Sequence, residues 1–108
     1  MPTDEITKAW AGLTTKEYKD FKNLKKEGLR DNMTNLELVL NMLAETSTAE
    51  LSKKQKPKNL LENKKVARKG GSVAGSARKD LEQKLGESVI SPLNAKELGK
   101  REDDKLEK

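Results

Sequence analysis

Large apolar side chains are scarce in this chain of 108 residues, and this scarcity restricts the folds open to it. Leu, Ile, Val and Phe together number 22, of which 15 are leucines. One Trp, one Tyr and one Phe cannot fill a large aromatic core. A small leucine core usually forms between helices, and Val89-Ile90 is too short to build a sheet. We therefore expect an all-α domain, a small bundle of four or five helices over residues 1–98, with a disordered charged tail at 99–108.

A Ser, Thr or Asn followed three positions later by Glu recurs along the chain and predicts where helices begin. In such a capping box the first side chain accepts a hydrogen bond from a free backbone N–H, and the Glu carboxylate accepts one in return. We expect Gly28 to end the first of these helices and Gly86 to end the last long one. At Ser47 the second helix either continues or restarts with a kink. The five predicted capping boxes pair Thr14 with Glu17, Thr34 with Glu37, Ser47 with Glu50, Asn59 with Glu62 and Asn94 with Glu97.

The stretch LELVLNMLAE is the most apolar part of the sequence and is predicted to form a central helix over residues 34–46. At helical spacing Leu36, Val39, Leu40 and Leu43 form one stripe, which is predicted to face the core. Pro57 is expected to end the preceding helix, because proline lacks an N–H and its ring clashes with the turn before it. In the first helix the residues predicted to share one face are Tyr18, Phe21 and Leu24.

Positive charge is concentrated in the middle of the chain. Residues 53–79 hold ten Lys or Arg against one acidic residue, whereas the segments before and after them carry a small acidic excess. Such clustering favours a polyanionic partner such as nucleic acid, although charge runs more often form a solvated helix face. No aromatic residue is interleaved, so we expect salt-sensitive contacts to phosphates rather than base stacking. The predicted contact set is Lys64, Lys65, Arg68, Lys69, Arg78 and Lys79.

Three glycines, Gly70, Gly71 and Gly75, lie inside this basic block. The spacing of Gly70 and Gly75 matches a P-loop, but Ser76-Ala77 stand where that loop needs Lys and then Ser or Thr, so nucleotide hydrolysis is excluded. Two adjacent glycines inside a helix cost about 2 kcal/mol relative to alanine. The chain therefore either breaks there and restarts at Ser72, where backbone N–H groups could hold a phosphate, or runs through as a row of small residues for close packing.

Catalytic chemistry has no positive support in the sequence. The chain contains neither cysteine nor histidine, which removes disulfides, thiolate metal sites and the usual general base, and we expect no metal and no cofactor. No apolar run approaches the length of a membrane span, so a cytoplasmic protein without membrane contact is expected.

Arg30 and Asp31, between the first two predicted helices, are interpreted as residues that cap and tie the helix ends.

Several ordered motifs resemble the C-terminal region of bacterial DNA-damage-inducible protein D, which is related to the Bro-type phage antirepressors. They are LRDNMTNLELVLNMLAE, TSTAELS, ENKKVARKGGSVAGSARKDLE and VISPLNAKEL, and together they span roughly residues 6–98. The N-terminal Bro-type domain of that family has no counterpart here, so the resemblance implies a C-terminal fragment or an isolated domain. The matching positions are Leu29, Arg30, Asp31 and Met33, then Glu62, Ala67, Gly70, Gly71, Val73, Ala74, Ala77 and Arg78, and finally Asn94 and Ala95.

The resemblance implies a non-enzymatic regulatory module of the bacterial DNA-damage (SOS) response, since proteins of this type are linked to recombinase filaments on single-stranded DNA. On that interpretation a basic helical surface docks onto single- or double-stranded DNA, or onto a recombinase filament. An alternative from another class is an oligomerisation or protein-docking domain without nucleic-acid contact. There the LELVLNMLAE helix and the glycines form the subunit interface of a homo-oligomer.

Overall fold

The computed structural model describes residues 3–94 of the chain. Within that range it contains four α-helices and no strand, which confirms the all-α prediction. The predicted tail at 99–108 lies outside the described residues, as does the Asn94–Glu97 box apart from Asn94 itself. The helices are α1 (Thr3–Ala11), α2 (Thr15–Phe21), α3 (Asn35–Gln55) and α4 (Leu60–Leu85), with one 3₁₀ turn at Arg30–Asn32.

Three predicted helix starts are confirmed. Thr14 and Thr34 cap α2 and α3, and in both cases the capping box is complete, with Glu17 and Glu37 returning the hydrogen bond. Asn59 caps α4 by accepting a hydrogen bond from the backbone N–H of Glu62 at 2.9 Å. These starts depend on hydrogen bonds between residues three positions apart, so the local sequence alone determines them.

Other boundaries differ from the prediction. α1 was not predicted, because no Glu stands three positions after Thr3 to complete a box. α2 ends at Phe21 rather than near Gly28, since Asn23 adopts a left-handed backbone with φ of 60°. Ser47 lies inside α3, which continues without a break to Gln55. Pro57 and Gly86 fall just beyond the ends of α3 and α4, as predicted.

α4 runs unbroken through Gly70, Gly71 and Gly75, so the chain does not restart at Ser72. A Cβ atom added at Gly70 would lie 2.6 Å from Cα of Thr48 in α3. On another face of α4, a Cβ at Gly71 or Gly75 would lie 2.8 Å from O of Ile6 or 2.9 Å from O of Ala9 in α1. The glycines therefore let two helices approach the α4 backbone closely, and α4, not α3, is the helix against which the others pack most extensively.

The buried face of α3 differs from the predicted stripe. Leu40 is buried as predicted, but Leu36, Val39 and Leu43 are 42%, 61% and 37% exposed. Small and polar residues of α3 face α4 and α1 instead, because the close approach to α4 leaves no room for rows of leucine. Phe21 of α2 is also exposed, contrary to prediction. The buried residues of α3 are Glu37, Leu40, Asn41, Ala44 and Thr48.

A fully buried ion pair joins α2 to α3. Nζ of Lys22 lies 2.8 Å from Oε1 of Glu37, and both side chains have no exposed surface. The hydroxyl of Tyr18 donates to the other carboxylate oxygen. Oε1 of Glu37 also accepts from the backbone N–H of Thr34 at 2.9 Å, so one carboxylate completes a helix cap and balances a buried ammonium.

The same pair holds the segment that follows α4. Lys22 donates through Nζ to the carbonyl of Leu93 at 2.8 Å, and Ser91 donates its backbone N–H to Glu37 at 3.4 Å. Val89 and Ile90 are buried against the core in the same segment. Residues 88–94 thus return to α2 and α3 across the end of the bundle.

Burial raises the pKa of Glu37 to about 7, although the backbone hydrogen bonds from Thr34 and Ser91 act in the opposite direction. The ammonium of Lys22 also favours the charged carboxylate. The protonation state of Glu37 therefore depends on the presence of the Lys22 ammonium.

We expect Gly75→Ala to lower the free energy of unfolding by about 2 kcal/mol or more, because the added methyl group would force α1 away from α4. Without that contact the substitution would stabilise the helix by roughly 1 kcal/mol. Urea unfolding followed by circular dichroism measures the change. The control is Ser76→Ala at the exposed neighbouring position, which should be close to neutral. Stabilisation by Gly75→Ala would contradict the close packing.

Lys22→Met should make stability depend strongly on pH. Without the ammonium the pKa of Glu37 rises further above its ordinary value of 4.5, so the folded variant holds a proton that the unfolded chain releases above about pH 4.5. The contribution of Glu37 to stability is then complete below that pH and is lost as the pH rises from there through the raised pKa of the folded variant. We expect a loss of about 3 kcal/mol or more at pH 8 and a smaller loss at pH 5.

Urea unfolding at both pH values measures this difference. The double variant Lys22→Met/Glu37→Gln has no carboxylate at this position and should show the same stability at pH 5 and pH 8. Equal losses for Lys22→Met at the two pH values would show that removing the ammonium does not raise the pKa of Glu37 in the folded state.

Candidate nucleic-acid interface

Four lysines line a groove where the chain turns from α3 into α4. This turn groove has a volume of about 270 Å³. Its carboxylate, Glu62, is already engaged, because Oε2 accepts the backbone N–H of Lys58 at 2.6 Å. The lining residues are Gln55, Lys56, Pro57, Lys58, Glu62, Lys65, Val66 and Lys69.

Local backbone geometry places these lysines together. Lys56 ends α3 in a left-handed conformation with φ of 50°, and its N–H donates to the carbonyl of Ser52. Pro57 prevents α3 from continuing, and Asn59 begins α4 two residues later. Because α4 turns back along α3, Lys65 and Lys69 come to lie beside Lys56.

A second group of lysines lines a wider cleft between α4 and the first two helices. This side cleft has a volume of about 900 Å³. The sequence did not predict this cleft, because the acidic excess summed over residues 1–52 conceals the lysines that folding brings beside α4. The lining residues are Asp4, Glu5, Thr15, Lys16, Lys19, Lys25 and Lys64.

The two carboxylates of the side cleft are engaged elsewhere. Asp4 accepts the backbone N–H of Thr15 at 3.2 Å, and hydrogen bonds from Thr15 hold the pKa of Asp4 below its ordinary value. Oε2 of Glu5 lies 3.0 Å from Nε of Arg68. Neither carboxylate forms an ion pair with the lysines of the cleft, so those lysines can meet an external anion.

Within residues 4–94 most cations of the central block have no carboxylate within 4.0 Å. Lys53, Arg68 and Arg78 are the exceptions, paired with Glu50, Glu5 and Glu82. The exposed pairs of Lys53 and Arg68 contribute little to stability. The remaining cations are Lys54, Lys56, Lys58, Lys64, Lys65, Lys69 and Lys79.

The structure does not bring the predicted contact residues together at one surface. Lys65 and Lys69 line the turn groove, whereas Lys64 lines the side cleft. Lys79 is exposed further along α4, and Arg68 is more than half exposed while paired with Glu5. Arg78 differs from these exposed cations, because its side chain is largely buried.

Arg78 has a structural role, which corrects its assignment to the contact set. Its side chain is 17% exposed, and Nε donates to the carbonyl of Trp10 at 2.7 Å. NH1 binds both carboxylate oxygens of Glu82 at 2.9 and 3.0 Å. Glu82 in turn accepts the N–H of Val89, so Arg78 connects α1 to the segment after α4.

The other predicted motif residues also have structural positions. Gly70, Gly71 and Gly75 contact α1 and α3 of the same chain, so they form neither a phosphate pocket nor a subunit interface. Arg30 lies 3.3 Å from Oε1 of Glu45 and ties the 3₁₀ turn to α3, whereas Asp31 is exposed on that turn.

Two site classes find no support in the described part of the chain. Residues 3–94 contain no helix with the length and apolarity needed to cross a membrane. They also contain no cluster of three or more carboxylates with the arrangement of a metal site.

Comparisons with known proteins add no assignment: no protein-family model matches the sequence, and no curated protein or solved structure matches the chain. The resemblance to DNA-damage-inducible protein D therefore stays a prediction.

We expect Arg78→Ala to reduce the free energy of unfolding by about 2 kcal/mol, because it leaves the Trp10 carbonyl and Glu82 without their charged donor. Lys79→Ala, one position along the same helix, should change it by less than about 0.5 kcal/mol. Thermal unfolding of the two variants tests the assignment. Equal stability of both would return Arg78 to the surface contact set.

Proposed function

We propose that this protein binds nucleic acid by contacting the phosphate backbone of that nucleic acid. We propose further that it acts as a non-enzymatic regulatory module of the bacterial DNA-damage response. The observation that carries the proposal is the excess of unpaired lysines along the N-terminal half of α4. Such a surface binds phosphates by releasing condensed counterions. The placement in the damage response depends on the sequence resemblance alone.

The acidic residues beside these lysines support this proposal. A mixed-sign helix face would pair each lysine with a carboxylate three or four positions away. Here Glu62 is bound to the backbone of the turn and Glu5 to Arg68, so most of the lysines remain available. DNA within a recombinase filament offers the same phosphates and is a candidate form of the ligand.

The surface also indicates the mode of binding. Trp10 and Tyr18 are completely buried, and no aromatic residue lines the turn groove or the side cleft. Stacking of bases on these surfaces is therefore not expected, and contacts to phosphates should dominate. Binding should accordingly weaken steeply as salt is added.

A second candidate function, oligomerisation or protein docking, is favoured by the outer face of α3. Leu36, Val39, Met42 and Leu43 lie there side by side, and each is at least one-third exposed. Neighbouring exposed apolar side chains of this kind mark interaction sites in many proteins. The glycines no longer support this function, because other helices of the same chain cover them.

The triple variant Lys56→Gln/Lys65→Gln/Lys69→Gln should weaken DNA binding by at least about tenfold at 100 mM salt and reduce the salt dependence of binding. The reason is the loss of three cations from the turn groove. Fluorescence anisotropy with labelled 20-nucleotide DNA, at several salt concentrations from 50 to 200 mM, measures both quantities.

The matched control is Lys8→Gln/Lys26→Gln/Lys84→Gln, which removes three exposed lysines outside both clefts. It should retain most of the affinity. No binding by the native protein at 50 mM salt would refute the proposed function, and an equal loss in the control would refute the assigned surface. A dimer that Val39→Glu dissociates, together with no DNA binding, would favour the alternative.

A further inference from the structure

The two lysine-lined clefts lie on either side of the exposed face of α4. Consecutive residues of α4 point into different clefts: Lys64 lines the side cleft and Lys65 the turn groove. An α-helix advances about 100° per residue, so this division follows from the helical geometry. Leu61 and Arg68 lie on the helix surface between the two rows and are more than half exposed.

Each cleft could hold its own row of phosphates. The side cleft contains Lys16, Lys19 and Lys25 from α2 and the chain after it, in addition to Lys64. The turn groove contains four further lysines. Lysines outnumber carboxylates by four to two in the side cleft and by four to one in the turn groove, so both clefts keep a net positive charge.

One form of nucleic acid accommodates a helix that is flanked by two cationic rows. An α-helix with its side chains is about 10–12 Å across, and the major groove of B-form DNA is about 12 Å wide. The phosphates of the two strands run along the two edges of that groove. A single strand offers only one row of phosphates, and the major groove of double-stranded RNA is too narrow and deep for a helix.

We infer that the ligand is double-stranded DNA, with the N-terminal half of α4 in the major groove and one strand against each cleft. The inference rests on the proposed function and specifies its ligand. Lys16, Lys19 and Lys25 contact the strand on the side-cleft edge. Lys56, Lys65 and Lys69 contact the other strand. Leu61 and Arg68 face the base edges between them.

The test compares ligands and clefts. Native protein is titrated with 20-base-pair DNA, single-stranded DNA and double-stranded RNA of the same length, at several salt concentrations. We expect at least tenfold tighter binding to double-stranded DNA than to the other two. Lys16→Gln/Lys19→Gln/Lys25→Gln should weaken duplex binding at least tenfold, as should the turn-groove triple variant, and each should lower the salt slope by about 2 to 3.

The outcomes separate the inference from the function on which it rests. If the side-cleft variant binds duplex DNA like the native protein while the turn-groove variant does not, the second row is absent and the inference is wrong. Equal or tighter binding of single-stranded DNA or of RNA also overturns it, and both results leave the proposed function standing. No binding of any of the three ligands removes both. Circular dichroism confirms that the variants are folded, and the control variant with three lysines replaced outside the clefts should keep the duplex preference.

Discussion

The close packing of α1 and α3 against the small residues of α4 determines most of this structure. A chain with few large apolar side chains cannot fill wide gaps between helices, so its helices must approach until their backbones nearly touch. Glycine lowers the intrinsic stability of α4 by about 1 kcal/mol at each position, and the packing contacts along both faces offset that cost. Because α1 and α3 both occupy its inner faces, α4 has one free face, which carries the lysines.

The buried ion pair of Lys22 and Glu37 has a different role. The desolvation of two charges is costly, and a buried ion pair often contributes no more to stability than an apolar pair of similar size. Its hydrogen bonds nevertheless define one arrangement of α2, α3 and the segment after α4, since each lone pair and each proton needs a particular partner. Specificity of arrangement is therefore the main consequence of burying these charges.

The sequence predicted those features that depend on residues close together in the chain. The caps at Thr14, Thr34 and Asn59 were correct because each forms within one helical turn. The buried face of α3 was predicted wrongly, because apolarity alone favours Leu36 and Val39, whereas the shape of α4 favours Ala44 and Thr48. The side cleft could not be predicted, because it joins lysines almost 50 positions apart.

The position of α1 has a consequence for synthesis of the chain on the ribosome. Ile6 and Trp10 are covered by the part of α4 around Gly71 and Gly75, more than 60 positions later in the chain. At about 5–20 residues per second, the nascent chain waits roughly 3 to 13 s before that helix is made. A nine-residue helix is not stable alone in water. The apolar side chains of α1 are therefore exposed to chaperones and to other nascent chains until α4 emerges.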